Sequence, residues 1–124
     1  MKSYVALFGA ACLLSSCQTD AQVRSAAPLE QYPSPKSPDA AVTCLIPSLA
    51  QHYQAIQQQR FVAQTIAPGK EYDVVPTDGF INGHYTYTVN VKANGAGSIL
   101  SLYKGQMMLT SITESIQAGI KACL

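Results

Sequence analysis

The chain of 124 residues has no tryptophan, two histidines and few charges: eight Lys or Arg against seven Asp or Glu, for a net charge of +1. So little charge of either sign gives no basic field for steering toward nucleic acid, and no nucleic-acid partner is expected. The four cysteines, Cys12, Cys17, Cys44 and Cys123, are scattered, and with only two histidines they leave little material for a metal centre. No metal and no cofactor are therefore expected. The GxSxG, HExxH, Walker and dinucleotide-binding patterns are all missing, so no catalytic residue is assigned. What is plentiful is apolar material: 48% of the residues are hydrophobic. That is too much for a wholly disordered chain, and the length admits one domain.

The apolar residues begin at once. Lys2 supplies one positive charge, and Tyr4 to Leu14 (YVALFGAACLL) is a nearly unbroken apolar run. A helix of that length spans about 16 Å, half the hydrocarbon core of a bilayer, which is too short for a stable crossing and suits a signal peptide. Leu14-Ser15-Ser16-Cys17 follows directly. It resembles the bacterial lipobox, in which Leu and two small residues precede a cysteine that becomes residue one. The resemblance implies a diacylglycerol on the Cys17 thiol, cleavage before Cys17 and usually acylation of the new amino group. Cys12 lacks the preceding Leu and reads as a small hydrophobe discarded with the signal. Gln18 in place of Asp implies, by the same resemblance, sorting to the outer membrane with the domain facing the periplasm. The lipid bilayer is then the first partner. Each buried CH₂ contributes about 0.8 kcal/mol, so two or three chains on one cysteine anchor durably where a single chain does not.

On this reading residues 1–16 are a lipoprotein signal peptide. Residues 17–41 are the lipidated cysteine and a Pro/Ser/Ala-rich tether, and residues 42–124 are a small domain. The tether assignment rests on Pro28, Pro33, Pro35 and Pro38, which block regular hydrogen bonding. In the domain, Thr43 caps a helix over 44–58 with Pro47 in its first turn and Leu45, Leu49, His52, Tyr53 and Ile56 at helical spacing. Strands follow over 60–66, 71–75, 84–92 and 98–103. The third alternates cleanly, with Tyr85, Tyr87, Val89 and Val91 on one side. Asn94-Gly95 turns the last two into a hairpin. In the fourth strand both Ile99/Tyr103 and Leu100/Leu102 are candidates for the inward face. Ser111 and Glu114 have capping-box spacing before a stripe of Ile112, Ile116, Ile120 and Cys123. Gly119 borders this stripe, through close packing or simple tolerance. The expected fold is α+β: a small two-layer domain with a four-stranded antiparallel sheet flanked by an N-terminal and a C-terminal helix, α-β-β-β-β-α.

Cys44 and Cys123 remain once Cys17 is lipidated. In an oxidising compartment they are expected to form a disulfide that joins the start of the first helix to the end of the last. Chemistry beyond that is thin. His84 with Asp73 or Asp78 as an acid–base pair, and Ser98 or Ser101 as a nucleophile, are conceivable, but nothing in the spacing brings them together. His84 reads as a solvated strand residue and His52 as a helix-flank residue. Tyr85 and Tyr87 read first as core and second as an exposed aromatic interaction strip. The functional expectation is a noncatalytic outer-membrane lipoprotein presenting a periplasmic domain to a protein or cell-wall component. The alternatives are an accessory or inhibitor lipoprotein of a secretion, conjugation or phage-related system, and a periplasmic hydrolase or ligand-binding protein.

Overall fold

The computed structural model describes residues 25–53, 59–77, 80–81, 84–85, 87–104 and 110–124. The elements in chain order are β1 (Glu30–Ser34), α1 (Pro38–His52), β2 (Phe61–Ala67), β3 (Glu71–Pro76), β4 (Phe80–Ile81), β5 (His84–Tyr85), β6 (Tyr87–Asn94), β7 (Gly97–Lys104) and α2 (Thr110–Lys121). Five strands form one sheet in the order β1-β7-β6-β3-β2, and β4-β5 form a separate two-stranded ribbon. All pairings are antiparallel.

The sheet thus has five strands, which corrects the four-stranded expectation. The additional strand, β1, lies inside the segment read as tether, and α1 begins there too. Four prolines in a short stretch suggest irregular chain, yet two of them, Pro33 and Pro38, belong to regular elements. Pro33 lies on an edge strand, where the ladder demands hydrogen bonds on one side only. On either side of it Tyr32 and Ser34 are buried, so β1 has the alternation of a half-buried strand. Pro38 is at the start of α1, where a missing N–H costs nothing, and Ser37 is the N-cap, its side chain accepting from the Ala40 N–H at 3.3 Å. The expected cap, Thr43, instead sits inside the helix and donates its hydroxyl to the Asp39 carbonyl at 2.8 Å. Pro47 is then interior to α1 rather than in its first turn, and it is exposed. There it forgoes one helical hydrogen bond, a local cost that packing of the opposite stripe offsets. The expected continuation of the helix over 54–58 lies outside the described residues.

The third expected strand is divided. His84–Tyr85 pairs with Phe80–Ile81, whereas the sheet strand begins at Tyr87. β6 and β7 form the centre of the fold, in register from Tyr87↔Lys104 to Asn94↔Gly97, with Gly95 at φ 60° in the tight loop. The two readings of β7 resolve in favour of Leu100 and Leu102, both fully buried, and Ile99 and Tyr103 face the other way.

Both helices cover one face of the sheet. Ala41, Leu45 and Leu49 of α1 and Ile116, Ile120 and Cys123 at and after α2 pack with Val74, Val89, Val91, Leu100 and Leu102. Tyr53 closes the end of this core edge-on against Phe61, ring centroids 6.0 Å apart. The helices meet at Gly119, where a Cβ would stand 3.0 Å from Leu49 Cδ2 and 3.2 Å from its Cα. Close packing, not tolerance, therefore explains this glycine, and Ser48 fastens the crossing by donating to the Gly119 carbonyl at 2.7 Å. A disulfide joins Cys44 to Cys123 across this helix pair, with Cα atoms 5.7 Å apart and a sequence separation of 79.

Candidate functional site: a polar groove on the outer sheet face

The alternation that sends Tyr87, Val89 and Val91 into the core sends Thr88, Asn90 and Lys92 to the opposite face. Register does the rest. Glu71 of β3 stands opposite Lys92 and Asp73 opposite Asn90, and on the other side Asn90 is opposite Ser101 of β7, which in turn is opposite Gln31 of β1. A polar row thus runs across four adjacent strands. Around it lies a groove of about 480 Å³, with Gln31 at one end and Glu71 at the other, Asn90, Lys92 and Asn94 on β6, and Ile99, Ser101 and Tyr103 on β7.

The row is fastened from within. Asn90 Nδ2 donates to Asp73 Oδ1 at 2.8 Å and to Glu71 Oε1 at 3.0 Å. One amide thereby holds two carboxylates two residues apart on a strand. Asp73 is fully buried and Asn90 is 7% exposed. A buried carboxylate is costly without donors, so this amide is part of what makes Asp73 tolerable on a sheet face. Gln31 Nε2 donates to Ser101 Oγ at 3.1 Å, tying the edge strand into the same row.

The expected site residues are distributed differently. Ser98 is buried and donates to the Lys36 carbonyl at 2.8 Å, holding the β1–α1 connection against β7. Ser101 lies in the groove, and so does the neighbourhood of Asp73. Asp78 and the side chains of His84 and Tyr85 lie outside the described residues, as does Cys17. His52 sits on the helix flank, its Nδ1 2.8 Å from the Ser48 carbonyl. Tyr87 is 2% exposed and belongs to the core, so it forms no exposed strip. Burial pushes its phenol up to about 12, a hydrogen bond with Thr113 partly opposing this. Burial first, and then the neighbouring Glu30, raise Tyr32 as well. Tyr72 is raised chiefly by its hydrogen bond to Asp39, a contact that links β3 to the first turn of α1.

Gln31, Glu71, Asn90, Lys92 and Tyr103 were not evident as a site from the sequence. The signal was present in the polar half of the β6 alternation, but it becomes a site only when the register with β3, β7 and β1 is known. Among the described residues no three His, Cys, Asp or Glu side chains gather as a metal site. No described helix is long and apolar enough to cross a membrane. No protein-family model matches the chain, and no curated protein or solved structure matches it either.

Proposed function

We propose that this chain is a noncatalytic lipoprotein of the bacterial outer membrane, anchored through Cys17, whose periplasmic domain binds an envelope component in the polar groove. The observation that carries the binding role is the Glu71 carboxylate in an open groove, held by Asn90, which the buried Asp73 fixes in turn. Preformed polar groups on strands hold their geometry without an ordering cost at the moment of binding. The anchor rests on the apolar run ending in Leu14-Ser15-Ser16-Cys17. The Cys44–Cys123 disulfide supports an oxidising compartment, since such bonds are rare where thiols are kept reduced. With β1 folded into the sheet, the link between Cys17 and the domain shortens to about a dozen residues, a reach of roughly 40 Å when extended.

The test is metabolic labelling with an alkyne fatty acid in a bacterial host, followed by membrane fractionation. Labelled protein in the outer membrane, lost in Cys17→Ser, is the expected result. Equal labelling of the variant, or an unlabelled soluble wild type, overturns the anchor. For the binding role, a photo-crosslinking residue placed at exposed Lys92 in the groove should trap an envelope component, and the same probe at exposed Lys121 on α2 should not.

A further inference from the structure

We infer that the groove takes a neutral, polyhydroxylated ligand, specifically a short run of a saccharide chain; this deepens the binding role proposed above and rests on it. Charge narrows the choice first. The groove walls carry one carboxylate, Glu71, and one ammonium, Lys92, with the Asp73 carboxylate fastened beside Glu71 through Asn90. A phosphate or polyanion approaching Lys92 would also meet these carboxylates. An apolar ligand would strip water from Glu71, Lys92 and Gln31 and return no hydrogen bonds, at a cost for each group.

A hydroxyl both donates and accepts, and a sugar ring carries several side by side. The groove interleaves what such a ring needs. Lys92 and Asn94 bring donors and Glu71 an acceptor, while Gln31 Nε2 and Ser101 Oγ, already joined to each other, keep one hydrogen and one lone pair. Asn90 spends its Nδ2 donor on two carboxylates, which leaves its Oδ1 acceptor for any further partner. Tyr103 stands half-buried in the wall, and its ring gives the C–H face of a sugar an apolar surface to rest on. Shape points the same way. The row crosses four strands, so its length is three inter-strand spacings, about 14 Å. That is long for one ring and suits several in series. The trough is open to solvent, as a polymer whose ends continue past the protein requires.

The experiment uses the full chain in a detergent without a sugar headgroup. Cellotetraose, chitotetraose and maltotetraose are titrated separately by calorimetry, with inorganic phosphate as the anionic control. At least one tetrasaccharide should bind with a Kd on the order of 1 mM or tighter, the range accessible to a few polar contacts and one stacked ring. Tyr103→Ala and Gln31→Ala should each weaken that binding about tenfold while both variants still unfold in one cooperative transition, and phosphate should not compete. Absence of binding by all three sugars overturns the inference, as does binding that both variants leave unchanged. If the sugars fail while the Lys92 probe crosslinks to an envelope protein, the saccharide is wrong and the binding role survives. If a sugar binds while the fatty-acid label is not incorporated, the anchor is wrong and the saccharide site stands.

Discussion

The two faces of the sheet are built from the same strands by the same alternation, yet they answer to different demands. The helix side holds Leu45, Leu49, Leu100, Leu102, Ile116 and Ile120, all fully buried, and depends on shape and on the disulfide across the helix pair. The outer side also buries residues, but Asp73, Thr88, Asn90 and Ser101 are polar. Apolar burial stabilises in proportion to area and asks little about direction. Buried polar groups break even only when their hydrogen bonds are made, so the outer face specifies geometry where the inner face supplies stability. Function is therefore sought on the side that contributes less to holding the fold.

The sharpest way to break the inner side is to remove its staple. Cys44→Ala with Cys123→Ala frees a loop of 79 residues, for which chain entropy alone gives about 4.5 kcal/mol and measured losses run about 2–5 kcal/mol. Denaturant unfolding should show that loss or the protein should fail to accumulate. Free, alkylatable thiols in wild-type protein purified without reductant would contradict the staple directly. Leu100→Ala follows, at about 2–5 kcal/mol, because a fully buried side chain in the central hairpin leaves a cavity that the sheet cannot close.

On the outer side, Asn90→Ala should cost about 1–3 kcal/mol, mostly through the donor that Asp73 and Glu71 lose. Adding Asp73→Asn to that variant should recover part of the loss, since it removes the buried charge that needed the donor. An additive double mutant would show that the amide and carboxylate are not coupled.

Alkali separates the faces by another route. The folded-state value of Tyr87, about 12, exceeds the ordinary 10.0, so the folded protein retains a proton that the unfolded chain gives up. Its contribution is full below pH 10 and is lost as pH rises toward 12. Urea midpoints should fall across that interval, and Tyr87→Phe should flatten the fall. An unaltered slope in the variant would clear Tyr87 of the effect. The smallest change is Gln31→Ala at the exposed rim, within about 0.5 kcal/mol of wild type in stability.

What the sequence made legible follows the same division. The apolar half of β6 and the stripe Ile112, Ile116, Ile120 and Cys123 could be read because core periodicity is local. So could the partnership of Cys44 and Cys123, the two cysteines left once Cys17 is assigned to lipid. β1 was obscured because Pro33 and Pro35 resemble tether, and the alternation of Tyr32 and Ser34 around Pro33 is short. Ser37-Pro38-Asp39 is a well-formed helix start, but a run of prolines before it concealed its meaning. The groove was hidden for a different reason. Its residues come from four strands, and no spacing along the chain records that Glu71 faces Lys92 or that Gln31 faces Ser101.

Gly97 gives the edge strand a mechanical meaning. A Cβ there would stand 2.2 Å from the Ser34 carbonyl oxygen, so the end of β1 lies directly over the backbone of the β7 start. Ser98 and Lys36 latch the same corner, through Ser98 Oγ to the Lys36 carbonyl and Lys36 Nζ to the Cys123 carbonyl at 2.7 Å. β1 lies outside the covalent loop closed by Cys44 and Cys123. Tension applied to the chain ahead of Glu30 and resisted at the groove is borne first by the five β1–β7 register pairs and this corner. When they yield, residues 30–37 straighten before the load reaches α1 and the disulfide that fastens it to the C-terminal end of the chain.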